Sequence, residues 1–286
     1  MSDDGVNRVA ERSRVLVGVD GSKDGLRAVR YAMRAAQSVD ADLWVVNVVD
    51  QLSPMSGAWD VVIDPDILRH AGESAVAEAL DLVEKEGFPA DHVTGEVLVG
   101  RPGDVLAELG SKARLLVVGR RSLGGLERMF VGSTSLAAAM HAACPVIVIS
   151  AASTPEETGD RGVVAVAVST RPVHESALEW GVREAALRGA RLRVVHVVAE
   201  TVGVEGAAFV AAATAGLEEN LEPLRRKHPG TSIEIDVLLG NPVDALVEES
   251  RAVDLLILGV HRHHAVLGGP IRGVMAHSHC PVGLIR

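Results

Sequence analysis

"RVLVGVDGS" (Arg14–Ser22) packs a strand, a turn and a helix start into nine residues. Val15–Val19 is an apolar run of strand length, Asp20-Gly21 is a turn dipeptide, and Ser22 is a capping residue. Leu26, Val29, Met33 and Ala36 then recur at helical spacing. A short Val-rich strand feeding a helix is the opening of a parallel β-α-β crossover.

The pattern continues outward from there. Leu43–Val49 reads as a second strand, and Val76, Ala79, Leu80 and Val83 mark an amphipathic helix. Val93–Val99 is a third strand, followed by a short helix from Pro102. Leu115–Val118, a helix from about Thr134, and Val146–Ile149 close the unit. The near-continuous Val, Ile and Leu character of these strands fits a sheet covered by helices on both faces.

The unit is written twice. "RVLVGVDGS" is echoed by "VVAVAVSTR" (163–171), and "ADLWVVNVV" (41–49) by "ARLRVVHVV" (190–198). "EVLVGRPGDVLAE" (96–108) is echoed by "DVLLGNPVDALVE" (236–248), and "ARLLVVGRR" (113–121) by "VDLLILGVH" (253–261). "CPVIVI" from Cys144 is echoed by "CPVGLI" from Cys280. The order is the same in both halves, so this is a duplicated domain rather than a solenoid. A polar tail (1–13), a first domain (14–150), a small Pro/Gly-punctuated linker (151–161) and a second domain (162–286) result. The expected class is α/β, two tandem open, mainly parallel five-stranded sheets with helices on both faces.

Composition excludes several functions. The chain is 48% hydrophobic but 2% aromatic, so its core is aliphatic. A net charge of −10 argues against nucleic-acid binding, which needs a dense basic face. No apolar run approaches membrane-spanning length, the first residues lack the apolar core of a signal peptide, and two cysteines are too few for a disulfide framework. The expectation is a cytoplasmic protein with free thiols and no membrane or nucleic-acid partner.

In open parallel sheets, ligands bind beyond the carboxyl ends of the strands, where the strand order reverses. Asp20 follows the first strand there, and Gly119 ends the fourth. "GRRSLGGLERMFVGSTS" (119–135) is glycine-rich and opens a helix at Gly132, Ser133, Thr134 and Ser135. Unpaired first-turn amides and the helix dipole favour phosphate oxygens, and Arg120, Arg121 and Arg128 add positive charge. Asp20 suits a ribose hydroxyl or a metal bridging phosphates. The loop lacks a Walker lysine, and Ser-Thr-Ser can equally serve as a plain helix cap.

These residues resemble those of a tandem universal stress protein, and the likeness covers nearly all of both halves. The ATP-binding branch of that family carries G-x2-G-x9-G-[ST]. Here Gly119, Gly132 and Ser133 fall in register, while Ser122 replaces the middle glycine. The resemblance implies a 3-2-1-4-5 strand order and ATP, with Mg2+, in the first half. It places adenine against Val48, with Gly18, Val19 and Val118 nearby, and gives Asp20 the sugar or metal. It places the phosphates along Gly119, Arg121, Ser122 and the Gly132–Ser135 turn. It also implies that the Cys-Pro-Val strands pair with each other, making an internal pseudo-dimer, and leaves open a homodimer of whole chains.

The second copy has Ser169 at the place of Asp20, Arg262 for the middle glycine, Gly268 for the later one and Gly269 for Ser133. Its loop is about four residues shorter, so a degenerate site is expected there. Five histidines lie between His261 and His279, but His277 and His279, two apart on an expected helix, point to different faces, and no metal site is expected. The expected function is a nucleotide-binding regulatory module without enzymatic turnover beyond slow hydrolysis. A cyclic-nucleotide binder and a nucleotide-free scaffold are the alternatives, with an ATP-dependent enzyme the least supported.

Overall fold

The Asp-Gly-Ser turn folds for local reasons in the computed structural model, which describes residues 13–50, 64–120, 132–149, 151–153, 160–169, 174–199, 206–260 and 269–286. After β1 (Arg14–Gly18), Asp20 Oδ1 accepts from the Ser22 amide at 3.1 Å. Gly21 takes a φ of +72°, a region open to glycine. Ser22 Oγ accepts from the Gly25 amide at 3.1 Å, capping α1 (Lys23–Ser38). The buried stripe of α1 is richer in small residues than the apolar spacing suggests. Ala28, Ala32 and Ala36 are buried with Val29 and Met33, whereas Leu26 is half-buried.

β2 (Asp42–Val49), α2 (Pro65–Lys85), β3 (Val93–Val99), α3 (Pro102–Leu109), β4 (Leu115–Gly119), α4 (Ser133–His141) and β5 (Val146–Ile149) complete the first half. The second contains β6 (Val163–Ala167), α5 (Glu175–Arg188), β7 (Arg191–Val198), α6 (Gly206–Lys227) and β8 (Ile233–Leu239). It ends with α7 (Pro242–Glu249), β9 (Leu255–Gly259), α8 (Gly269–His277) and β10 (Val282–Ile285).

All ten strands form one sheet in the order β3-β2-β1-β4-β5-β10-β9-β6-β7-β8. Each half is parallel and has the 3-2-1-4-5 order. The halves join through an antiparallel pair, Val148 opposite Val282, Ile147 opposite Gly283 and Val146 opposite Leu284. The Cys-Pro-Val strands therefore lie at the centre, where pairing removes the exposed apolar edges they would otherwise present. The antiparallel junction also reverses the second half, so the strands of the two halves end at opposite rims of the sheet.

Two apolar layers sandwich this sheet, and each spans both halves. One packs α1, α2, α5 and α6 against Val15, Val17, Ile147, Val164 and Ile257. The other packs α3, α4, α7 and α8 against Leu16, Leu116, Val148, Leu256 and Val282. Burying each such side chain contributes about 1.5–3 kcal/mol. A polar clasp adds to the first layer, where Arg188 of α5 donates to the Tyr31 hydroxyl of α1 at 2.7 Å and lies over its ring. Among the described residues no helix is long and apolar enough to cross a membrane.

Candidate functional site

β1 and β4 are hydrogen-bonded neighbours, with Gly18 opposite Val118. The helix after β1 covers one face of the sheet and the helix after β4 covers the other. This divergence opens a crevice at the strands' carboxyl ends. Asp20 and Gly119 stand on its two sides, as the strand order requires.

Gly119 is there for a steric reason. A β-carbon at this position would lie 2.7 Å from the Asp24 carbonyl carbon and 2.8 Å from the Gly25 nitrogen. Only glycine lets the end of β4 approach the first turn of α1 so closely. On the other face the Ser135 hydroxyl donates to the Gly119 carbonyl at 3.0 Å. Ser135 is buried, so its side chain ties α4 to β4 rather than facing a ligand. Ser133 is exposed and Thr134 half-buried. Gly132 caps α4 with no side-chain hydrogen bond, leaving the helix's positive end without the cap that Ser22 gives α1.

The base-side residues divide between the faces. Val48 and Val118 belong to the α3 and α4 layer, and a β-carbon at Gly18 would press on Leu106 of α3. Val19 packs into the opposite layer. Its amide donates to Val46 and its carbonyl accepts from Asn47 Nδ2 at 2.8 Å, so it shapes the crevice from behind. Arg121, Ser122 and Arg128 lie outside the described residues, as do His261, Arg262, His263, His264 and Gly268.

Two features escape sequence reasoning. Asp24, in the first turn of α1, is 2% exposed, and its Oδ2 is buried with no hydrogen-bond partner among the described residues. Oδ1 accepts from Arg27 at 2.9 Å. Burial pushes the Asp24 carboxyl above its ordinary value, against the pull of the Arg27 hydrogen bond and the Arg27 and Arg120 charges, while Asp20 adds to the rise. Its carbonyl's contact with Gly119, far away in sequence, places it under the crevice.

The second feature corrects an expectation. Arg120, counted by charge among the anion-binding arginines, donates instead to the carbonyls of Met275, at 3.3 Å, and Ala276 in the last turn of α8. An arginine at a helix C-terminus satisfies orphan carbonyls and the negative end of the dipole. Another correction concerns His279, which lies beyond the end of α8 and donates its amide to Ser250 Oγ at 2.9 Å.

The second half repeats the frame with different chemistry. Ser169 stands where Asp20 stands, and His196 Nδ1 donates to the Val168 carbonyl as Asn47 does to Val19. A β-carbon at Gly259 would strike the imidazole of His174, so a ring fills the space that backbone occupies beside Gly119. No group of three metal-ligating side chains occurs among the described residues.

A family model described as "Universal stress protein family" matches residues 11–150 and 161–286. A universal stress protein of Mycobacterium tuberculosis is 28% identical over 281 residues, covering 92% of this chain and 93% of that protein. The solved structure of a universal stress protein from Archaeoglobus fulgidus superposes with a TM-score of 0.70 at 18% identity, covering 96% of each chain. A universal stress protein solved in complex with cAMP is 31% identical over 49% of this chain and 98% of its own, with a TM-score of 0.38.

Proposed function

Because the chain belongs to the universal stress protein family, we propose that its first half holds an adenine nucleotide at the crevice between β1 and β4 and acts as a nucleotide-dependent regulatory module. The observation that carries this reading is the start of α4, whose N-cap Gly132 makes no side-chain cap bond, set beside Gly119 and across from the carboxylate of Asp20. The amides of Ser133 and Thr134 supply donors to phosphate oxygens, where a helix N-terminus is already suited to an anion. Gly119 keeps the end of β4 close against the first turn of α1, which sets the floor of the crevice. Gly18, Val48 and Val118 offer an apolar wall to the base, and Val19 holds that wall from behind. Arg121 and Ser122 are assigned to the phosphates on the sequence motif alone.

ATP accompanied by Mg2+ is the ligand proposed. Mg2+ is bound by one or two carboxylates together with substrate phosphates, and the exposed Asp20 fits that donor set. The metal would offset the charge of the phosphates, and Asp20 would hold it or the ribose. The second half, with Ser169 and the His174 ring in the corresponding places, is assigned no nucleotide.

Calorimetric titration with ATP, ADP and cAMP tests the proposal. One adenine nucleotide per chain is expected, with Asp20→Ala weakening binding about tenfold or more, equivalent to a lost interaction of about 1.4 kcal/mol. Saturating ligand, at about 100 times Kd, should add about 2.7 kcal/mol of stability and raise the melting temperature. No heat and no thermal shift with any of the three would leave a scaffold function, and repeated turnover of ATP would make the protein an enzyme.

A further inference from the structure

We propose that Arg120 is a positioning residue for the first half's nucleotide site and that the last turn of α8 is its socket, so that the second half completes the first half's site. The inference rests on the nucleotide reading above. It starts from the way the end of β4 is held. The Gly119 carbonyl accepts from Ser135 of α4, and the Gly119 backbone lies so close to Asp24 and Gly25 of α1 that a β-carbon would not fit between them. The Arg120 amide donates to the Ile149 carbonyl of β5 at 2.5 Å. The Arg120 guanidinium then crosses the junction between halves to the carbonyls of Met275 and Ala276. The peptide against which the ligand would lie is thus braced from the other half of the chain.

The antiparallel junction makes this contact available. Val148, near the carboxyl end of β5, is opposite Val282 at the start of β10. The turn leading into β10, with the end of α8, therefore borders the rim where the first half's crevice opens. The same geometry places the end of α4 beside the second half's crevice. There the residue equivalent to Arg120 is Val260, which is buried among apolar side chains and offers no charge to a helix end. The brace runs one way, from the half that has Asp20 to the half that lacks it. Arg120 brings a positive charge to the Met275 and Ala276 carbonyls at the C-terminal end of α8, whereas the Val274 carbonyl accepts from the Ser278 amide.

The test is titration of the full chain with ATP for wild type, Arg120→Met and Arg120→Lys, at low and high salt. Arg120→Met is expected to raise Kd about tenfold, within the range of ordinary site-to-site coupling. Arg120→Lys should recover part of the loss, because a cation returns to the helix end. The salt dependence of Kd should be the same in all three proteins, as Arg120 acts through Gly119 and does not itself meet the phosphates. Unchanged affinity in Arg120→Met overturns the inference and leaves the nucleotide site standing. A flattened salt dependence in Arg120→Met also overturns it, in favour of direct contact with the ligand. Failure of wild type to bind any nucleotide removes both readings together. If Arg120→Met does not fold, hydrogen exchange in wild type decides. ATP should slow exchange of the Ser278 amide, bonded to Val274 at 2.8 Å, and no change there sinks the brace.

Discussion

Asp24 shows how a single residue can be unremarkable in sequence and unusual in space. An acidic side chain in the first turn of a helix complements the dipole, and nothing in "DGSKDG" marks it for burial. What the sequence hides is that the Asp24 main chain lies against Gly119, 95 positions away by residue number. Its raised carboxyl has a definite sign for stability. The folded state binds the proton more tightly than the unfolded state, whose value is the ordinary 3.8, so stability falls as pH rises through the window above that value. Asp24→Asn should therefore raise the melting temperature at pH 7 by about 3 °C, a gain of roughly 1 kcal/mol for a chain of this size. The gain should shrink as pH falls toward the ordinary value of 3.8 and vanish in melts run well below it, where both states are protonated. Asn keeps an acceptor for Arg27, so the hydrogen bond survives. Arg120 was equally opaque, because its charge is visible in the sequence but the carbonyls it serves are not.

Elements were far more legible than these contacts. β5 has the bounds that its Val and Ile run suggests, because a strand buried on both faces shows itself as an uninterrupted apolar phrase. β3, a partly exposed edge strand interrupted by Thr94, Gly95 and Glu96, still runs between the expected valines. Helix ends were readable where the cap is local, as at Ser22, and not where the chain simply turns, as beyond His277. The start of α4 is the element with a consequence for binding. Gly132 has φ −60° and ψ 146°, angles open to any residue, so glycine is not demanded there by the backbone. Gly132→Asp should restore a side-chain cap and leave the ligand-free melting temperature unchanged or slightly higher. The same carboxylate would occupy the place proposed for phosphate, and ATP affinity should drop more than tenfold in the titration. A protein whose α4 merely needs an end would gain from the change and lose nothing.

At the scale of the molecule, duplication was plain from the repeated phrases, and the single sheet follows from pairing the two Cys-Pro-Val strands. With both core layers crossing the junction, the halves should unfold together. Leu284, 2% exposed and opposite Val146, sits at that seam. Leu284→Ala should cost about 2–5 kcal/mol through lost burial and the cavity left behind. Measured by hydrogen exchange, amides of β1 and β6 should lose the same protection. Loss confined to β6 would mean two separately stable halves. An apolar edge strand calls for a partner, and the family resemblance implied which one, whereas the cross-half arginine depends on the register of that pairing.

The antiparallel seam has one more consequence. Because the halves point their strand ends in opposite directions, the mouth beside Asp20 and the mouth beside Ser169 look away from each other. A macromolecule seated over the latter would leave the former open to small molecules diffusing in and out. Small-molecule exchange at one rim and docking at the other would therefore not compete for space.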